Sequence, residues 1–180
     1  MAVISQATIG VRRVCAVRHP APKGTVAIGQ SYERTPILSG ARAISVAIVI
    51  GIVLFLAALW LHLGMIRLAK RTLQPASVNS LRLSLAYLVV LASHLAVTVL
   101  FALGFAGAAG MGLGGFDKEP AMSAMDLFYF SLINITTLGL GDIYPTGHLR
   151  ALAGIESLTG FLLISCTAQF VFSTMKKQEA

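Results

Sequence analysis

One short segment of the chain carries the residue types that could do chemistry. The run Thr136-Thr-Leu-Gly-Leu-Gly-Asp142 combines two threonine hydroxyls, two glycines at alternate positions and a carboxylate. A site that takes up a bare cation must replace its water with oxygens, and rings of backbone carbonyls can do this. Successive carbonyls point to one side only if the backbone alternates between conformations that residues with a Cβ atom resist. Gly139 and Gly141 adopt them at little cost, so the spacing predicts a cation-coordinating segment.

A capped helix that is too short to cross a membrane leads into this segment. Ser123 and Asp126 have the spacing of a capping box, in which each side chain bonds the backbone of the other residue. The stretch from Ala124 to Thr136 is about 13 residues, or roughly 20 Å of helix. A helix of that length can re-enter a membrane but cannot span it. Non-helical backbone at membrane depth needs protein or water around it, so the segment that follows is expected to be functional.

The composition is that of a membrane protein. Of the 180 residues, 56% are hydrophobic and 12% are charged, and the mean hydropathy is +0.80. A soluble domain has about 25% charged residues. The net charge is +7, but the basic residues lie in the N-terminal part and at the predicted helix ends, where Lys and Arg mark membrane topology. We therefore expect an all-α membrane protein with no nucleic-acid partner.

Three apolar stretches are long enough for a bilayer core of about 30 Å, which takes about 20 helical residues. We predict transmembrane helices at 43–66, 83–106 and 150–175, the short helix with the oxygen-rich segment at 121–146, and a basic, disordered tail at 1–42. The glycine-rich run Gly107–Gly115 is predicted to be a flexible loop.

The oxygen-rich segment resembles the selectivity filter of potassium channels, T-[VIL]-G-[YFL]-G-D. The flanks agree: Phe128-Tyr-Phe-Ser131 is similar to the pore helix of small bacterial potassium channels, Ile143-Tyr-Pro145 follows as a short turn does in that family, and Gly160 stands where the inner helix has a hinge glycine. Residues 44–105 more loosely resemble the two upstream helices of a three-span subgroup. The chain is thus similar to small bacterial channels of the pore-loop (two-pore-domain-like) ion channel family.

This resemblance implies three transmembrane helices, a re-entrant pore helix and a selectivity-filter loop. It assigns ion binding to Thr137, Leu138, Gly139, Leu140 and Gly141, with K⁺ held at the first four of these residues. It assigns filter support and the outer mouth to Tyr129, Phe130, Thr136, Asp142 and Glu156, and the gating hinge to Gly160. One filter motif per chain makes a quarter of a ring, so we expect a homotetramer with a central pore. The expected partners are K⁺ ions and membrane lipid, and no cofactor is expected beyond the permeant ion.

Two positions depart from the family pattern. The fourth filter position, usually Tyr or Phe, is Leu140, which can only pack, and Phe130 is its expected neighbour. The position four before the filter threonine carries Ile133, where some members have a carboxylate. Asp142 then needs another partner, for which Tyr129 is the candidate. The loss of an aromatic residue at Leu140 leaves the degree of K⁺ selectivity open.

One carboxylate and two histidines lie inside the predicted spans. Carboxylates within a membrane are functional hypotheses by default, and Glu156 either bonds the pore helix around Asn134 or Thr136 or faces permeant ions. His62 and His94 are interpreted as hydrogen-bonded packing residues, as pH sensors or, least favoured, as a metal pair. The metal pair is least favoured because their positions in the spans predict depths that differ by roughly 10 Å.

The filter of this family faces outward, which predicts a multi-pass protein of the cell (inner) membrane with a cytoplasmic C-terminus. Lys176, Lys177 and the basic loop 67–82 then lie inside, in agreement with the positive-inside tendency. The basic N-terminal tail, which three spans would place outside, does not agree. Either it is tolerated as a long tail, or the first apolar stretch does not span, or Met1 is not the natural start.

Three functions follow from these observations. The first is a potassium-selective channel, the second a cation channel that discriminates weakly between K⁺ and Na⁺, and the third a non-conducting membrane subunit that keeps the pore fold. An enzyme is not expected, because the sequence shows no nucleophile–base pair, metal-ligand cluster or phosphate loop.

Overall fold

The computed structural model describes residues 37–73, 80–117 and 122–178. Within these ranges the elements are, in chain order, α1 (Ile37–Thr72), α2 (Ser80–Gly110), β1 (Phe116–Asp117), α3 (Ala124–Ile135), β2 (Tyr144–Pro145) and α4 (Leu149–Gln178). The helices α1, α2 and α4 are each long and apolar enough to cross a membrane. The fold is therefore that of a helical membrane protein, as predicted. Residues 1–36 of the predicted tail lie outside the described residues, and residues 37–42 belong to α1.

The long helices extend beyond the apolar stretches. α1 runs from Ile37 to Thr72 where the sequence predicts 43–66, and its last turn carries Lys70 and Arg71. Lys and Arg are good helix formers, so the end of the apolar stretch does not end the helix. α1 stops ahead of Pro75, which cannot continue a helix.

The glycine-rich run begins as helix and not as the predicted loop. α2 continues to Gly110, and it closes with the N–H of Leu113 donating to Ala108 O at 3.1 Å and that of Gly112 donating to Ala109 O at 2.9 Å. These are the two bonds of a Schellman cap, and Gly112 has the left-handed φ of +72° that the cap requires. The alanines between the glycines support the last helical turn, which composition alone did not reveal.

The helices approach one another closely at small residues. α1 packs against α2 and α4, while α3 packs against α2 and α4. A Cβ atom on Gly51 of α1 would collide with Ile155 of α4, and one on Gly104 of α2 would collide with Leu54 of α1. Such contacts matter in a membrane because van der Waals packing, not release of water, holds helices together there.

A cluster of three aromatic rings fixes α3 against α2. Phe130 lies edge to face with Phe105 and with Phe116, with both ring-centroid distances at 5.1 Å. Phe105 and Phe116 complete the triangle at 5.9 Å. Edge-to-face pairs contribute about 0.5–1.5 kcal/mol each beyond their buried area. The middle of α3 is thereby positioned from inside the fold.

A short strand pairing, which the sequence did not predict, joins the two loops on this side of the molecule. β1 and β2 are antiparallel, with Phe116 opposite Pro145. The pairing is extended by the N–H of Thr146, which donates to Gly115 O at 2.7 Å, and by that of His148, which donates to Leu113 O at 2.8 Å. The loop after α2 therefore holds the chain between Asp142 and α4.

Candidate functional site

The start of α3 is fixed by the predicted capping box. The N–H of Asp126 donates to Ser123 Oγ at 3.2 Å, and the N–H of Ser123 donates to Asp126 Oδ2 at 2.9 Å. The Ser123 hydroxyl also donates to Asp126 Oδ2 at 2.6 Å. These side-chain and backbone bonds from Ser123 hold the pKa of Asp126 below its usual value. The capping box is confirmed, and α3 begins at Ala124 as the sequence predicts.

The end of α3 turns directly into residues 136–142, which we call the filter segment. The N–H of Leu138 donates to Ile133 O at 3.0 Å, and the N–H of Thr137 donates to Asn134 O at 3.0 Å. This is again the Schellman pattern, but its left-handed position is held by Thr137, with φ of +58°, where glycine is usual. A left-handed non-glycine residue costs roughly 1–2 kcal/mol. Strain of that kind is found at functional sites, where the surroundings enforce it.

The sign of φ alternates along the filter segment. Thr137, Gly139 and Gly141 have φ of +58°, +52° and +75°, whereas φ is not positive at Leu138 and Leu140. In a strand successive carbonyls point to opposite sides, and the alternation of φ brings them toward the same side. Gly139 and Gly141 thus have the left-handed conformations that their spacing predicts. Thr137 was missed as a third such position, because a β-branched residue gives no signal for a left-handed backbone.

A buried polar cluster ties α3 to α4 behind the filter segment. Glu156 is completely buried, is in hydrogen-bond contact with the Ser131 hydroxyl and accepts a hydrogen bond from Asn134 Nδ2 at 2.6 Å. Asn134 Nδ2 also donates to Ala153 O at 2.9 Å, and the Ser157 hydroxyl donates to Asn134 Oδ1 at 3.0 Å. Glu156 was predicted either to bond the short helix or to face permeant ions, and in the structure it bonds Asn134 of α3.

Ser131 and Ser157 in this cluster were missed by the sequence analysis. Both are small hydroxyl residues within apolar helices, and such residues usually bond a carbonyl of their own helix. The Thr136 hydroxyl does so: it donates to Leu132 O at 2.9 Å and not to Glu156. Only the packing of the helices distinguishes the two cases.

Asp142, at the end of the filter segment, is held from two sides. The Tyr129 hydroxyl donates to Asp142 Oδ2 at 2.7 Å, and the N–H of Ile143 donates to Asp142 Oδ1 at 3.0 Å. The hydrogen bond to Asp142 raises the pKa of Tyr129 above its usual value. The structure thus contains the Tyr129–Asp142 contact that the sequence analysis proposed in the absence of a carboxylate at Ile133.

The two leucines of the filter segment are largely uncovered in the single chain. Leu138 is 64% exposed and Leu140 is 60% exposed. Phe130, the expected neighbour of Leu140, is buried and packs against the buried Phe105 and the partly buried Phe116. Support of Leu140 by Phe130 is therefore at most partial within one chain.

Gly160 lies at a point of close approach between α4 and the end of α3. A Cβ atom there would collide with the carbonyl oxygen of Ile135, the last residue of α3, and would lie 2.8 Å from its Cγ1. Gly160 is thus a contact glycine in an unbroken helix. Its role as a gating hinge stays a prediction.

His62 and His94 lie side by side, so the predicted difference in depth is wrong. Their ring centroids are 4.9 Å apart. His94 Nε2 is 2.9 Å and His62 Nε2 is 3.3 Å from the hydroxyl of Thr167, and His62 Nδ1 is 2.5 Å from the hydroxyl of Ser93. The prediction took the depth of each histidine from its distance to the end of its apolar stretch, but α1 extends beyond that end. The contacts favour the reading as hydrogen-bonded packing residues that join α1, α2 and α4.

Three membrane-length helices, a short capped helix and a strained segment of alternating φ together define a multi-pass membrane protein. A family model described as "Ion channel" matches residues 88–177, which is half of the 180-residue chain. The chain therefore belongs to this ion channel family. The match covers α2 from residue 88 onward, α3, the filter segment and nearly all of α4. No curated protein and no solved structure gives a significant match.

Proposed function

We propose that the protein is a potassium-selective channel, in which four copies of the chain arrange their filter segments around one pore. The observation that carries the proposal is the alternation of φ from Thr137 to Gly141 at the end of a capped half-helix. Four such segments would offer rings of carbonyl oxygens from Thr137, Leu138, Gly139 and Leu140, and the Thr137 hydroxyls would add a lower ring. Such rings replace the hydration shell of K⁺.

The electrostatics of α3 support a cation as the permeant ion. The C-terminal end of a helix carries the negative end of its dipole, and α3 ends at Ile135, immediately before the filter segment. Asp142 adds a carboxylate at the other end of the segment. We propose that Tyr129 and Glu156 hold these parts in place, through Asp142 and Asn134 respectively.

The exposure of the filter segment supports an assembly of several chains. Residues 136–140 are exposed in the single chain, yet irregular backbone at membrane depth must be covered by protein or line a water-filled space. Neighbouring copies on one side and a central pore on the other would satisfy both requirements. We further propose that the filter faces outward, with the C-terminus in the cytoplasm and the protein in the cell membrane, because Lys176 and the basic end of α1 then lie inside.

A weakly selective cation channel is the second candidate, and the 60% exposure of Leu140 favours it. A leucine with little support from its own chain holds the filter width less firmly than an anchored aromatic residue would. The difference between the two candidates is a matter of ion discrimination and not of fold.

Reversal potentials of the purified protein in lipid bilayers, measured with a K⁺-rich solution on one side and a Na⁺-rich solution of low K⁺ concentration on the other, test the proposal. A reversal potential close to the K⁺ equilibrium potential is expected. A value near zero with robust current would favour the weakly selective channel. The absence of current in bilayers that contain verified, folded protein would favour a non-conducting subunit.

A further inference from the structure

The hydroxyl of Ser131 lies between two oxygen atoms, and each close oxygen–oxygen pair needs a hydrogen between its members. Ser131 Oγ is in hydrogen-bond contact with Glu156 Oε1 and lies 2.9 Å from Thr98 O. A serine hydroxyl has one hydrogen, while a carbonyl and an ionised carboxylate can only accept. One of the two close oxygen pairs would therefore lack a hydrogen if Glu156 were ionised. The carboxyl group of Glu156 is the one member of the trio that can carry the second hydrogen.

The surroundings of Glu156 do not compensate a negative charge. Its side chain is fully buried, and its partners, Ser131 and Asn134, are neutral. Burying an unpaired carboxylate is costly. Among the described residues, five titratable side chains of the helices bond partners other than Glu156: Asp126 bonds Ser123, Tyr129 bonds Asp142, Arg150 bonds Pro145 O, His62 bonds Ser93 and His94 bonds Thr167.

We infer that Glu156 is a neutral carboxylic acid that acts as a positioning residue for the filter segment. Its proton is donated to Ser131 Oγ, the Ser131 hydroxyl is donated to Thr98 O, and Glu156 Oε2 accepts from Asn134 Nδ2. One directed chain of hydrogen bonds thus runs from α4 through α3 to α2. Every hydrogen in it has one acceptor.

The consequence for the filter rests on the proposed function. The backbone carbonyl of Asn134 accepts the N–H of Thr137, the strained residue at the start of the filter segment. By fixing the Asn134 side chain, the neutral acid holds the turn from which the filter segment begins. If Glu156 were ionised, the single Ser131 hydrogen could bond only one of its two neighbours. Either Glu156 Oε1 or Thr98 O would then face Ser131 Oγ without a hydrogen between them. This repulsion would loosen the turn.

Infrared spectroscopy of the purified full-length protein tests the protonation state without any need for conduction. The difference spectrum between wild type and Glu156→Gln at neutral pH is expected to contain the C=O band of a protonated acid. Ser131→Ala should shift that band, because the acid loses its acceptor. The control Ser165→Ala should leave it in place, because Ser165 is exposed and bonds Phe161 O of its own helix. A difference spectrum that contains only carboxylate bands would overturn the inference.

The flux of K⁺ through reconstituted protein tests the positioning role. Glu156→Gln keeps a carbonyl acceptor for Asn134 and an N–H donor for Ser131, so it is expected to restore most of the flux that Glu156→Ala loses. The loss in Glu156→Ala is expected to be about tenfold or more, because it leaves buried partners without hydrogen bonds. Wild type should also lose flux reversibly at alkaline pH below the range in which Tyr129 ionises, whereas Glu156→Gln should not. A Gln variant as inactive as the Ala variant would show that the charge is needed.

The two readouts separate the possible failures. If wild-type protein carries no K⁺ flux but shows the protonated-acid band, the proposed function fails and the neutral acid stands. If flux is normal and the band is absent, the channel stands and the neutral acid fails.

Discussion

Backbone conformation, not crowding, makes glycine necessary at the centre of the filter segment. Gly139 has φ of +52°, and a Cβ atom placed on it would meet nothing within 4 Å. Gly141 has both constraints, since its φ is +75° and a Cβ atom would lie 2.9 Å from the Tyr144 hydroxyl oxygen. Gly139 therefore isolates the conformational effect.

We expect Gly139→Ala to abolish K⁺ flux without preventing membrane insertion. A left-handed alanine costs roughly 1–2 kcal/mol per chain, and four chains multiply this cost. Gly107→Ala is the matched control, because its Cβ atom would also meet nothing within 4 Å but Gly107 is helical. The control should keep its flux and be slightly stabilised, by about 1 kcal/mol or less. Normal K⁺ flux in Gly139→Ala would contradict the assignment of the filter.

The bond between Tyr129 and Asp142 predicts a particular response to pH. Because this bond raises the pKa of Tyr129 above its usual value of about 10, its contribution is complete below that value and is lost as the pH rises through the raised pKa. We expect the K⁺ flux of Tyr129→Phe to decay faster than that of wild type at neutral pH. Wild type should show the same fast decay only at strongly alkaline pH, where Tyr129 ionises. Tyr87→Phe in α2, away from the filter segment, is the control. Equal decay of flux in Tyr129→Phe and wild type would show that the bond has no role in holding the outer mouth.

Local patterns predicted the site where short-range chemistry determines it. The glycine positions follow from backbone sterics and the Ser123–Asp126 box from helix capping. The Tyr129–Asp142 contact was proposed from the family pattern, because Ile133 replaces the carboxylate that some members have. The Ser131 bond to Thr98 O could not be predicted, since it depends on which face of α2 meets α3. That choice is made by packing over the whole fold.

At the scale of elements, the junction between α3 and α4 is the tightest point near the filter segment. Gly160 allows the end of α3 to lie directly on α4, because a Cβ atom there would collide with Ile135 O. The same helix contains Gly154, where a Cβ atom would meet nothing within 4 Å. The two glycines have equal helix propensity and different packing.

We expect Gly160→Ala to lower both thermal stability and K⁺ flux. Overpacking against a backbone carbonyl costs about 1–3 kcal/mol per chain and displaces the end of α3. The control Gly154→Ala should be neutral or slightly stabilising. Thermal unfolding and flux assays on both variants provide the measurement. If Gly160→Ala changes only open probability and not stability, the glycine acts as a hinge and not as a contact.

The histidine cluster joins the three long helices through one hydroxyl, that of Thr167. We expect Thr167→Val, which keeps the shape and removes the hydroxyl, to destabilise the protein by about 1–3 kcal/mol, because ring nitrogens of the buried His62 and the half-buried His94 lose a partner. Thr174→Val is the control, since the Thr174 hydroxyl bonds Phe170 O of its own helix. Equal thermal stability of the two variants would show that the cluster does not join the helices.

The sequence predicts the existence of these helices well and their relative register poorly. Apolar length identified α1, α2 and α4, yet it placed His62 and His94 at different depths. Register between helices depends on close contacts such as Gly51 with Ile155. These pairings connect distant parts of the chain and leave no local pattern.

At the scale of the whole molecule, a single chain leaves the filter segment uncovered. Residues 136–140 are exposed, and on α4 Leu158 and Phe161 are 66% and 63% exposed. Lipid can cover apolar side chains, but it cannot satisfy the polar groups of irregular backbone. Because the exposed surface includes such backbone, other copies of the chain are the expected cover.

We therefore expect native mass spectrometry in mild detergent to show four copies of the chain. K⁺ should raise the dissociation temperature of this assembly more than Na⁺ does, because an ion that binds only the assembled filter stabilises it by mass action. Gly139→Ala should still assemble but lose most of this K⁺ effect, since its carbonyls no longer converge. Monomers or dimers alone in detergent would count against a shared pore. A tetramer that K⁺ and Na⁺ stabilise equally would place the protein with the weakly selective channels.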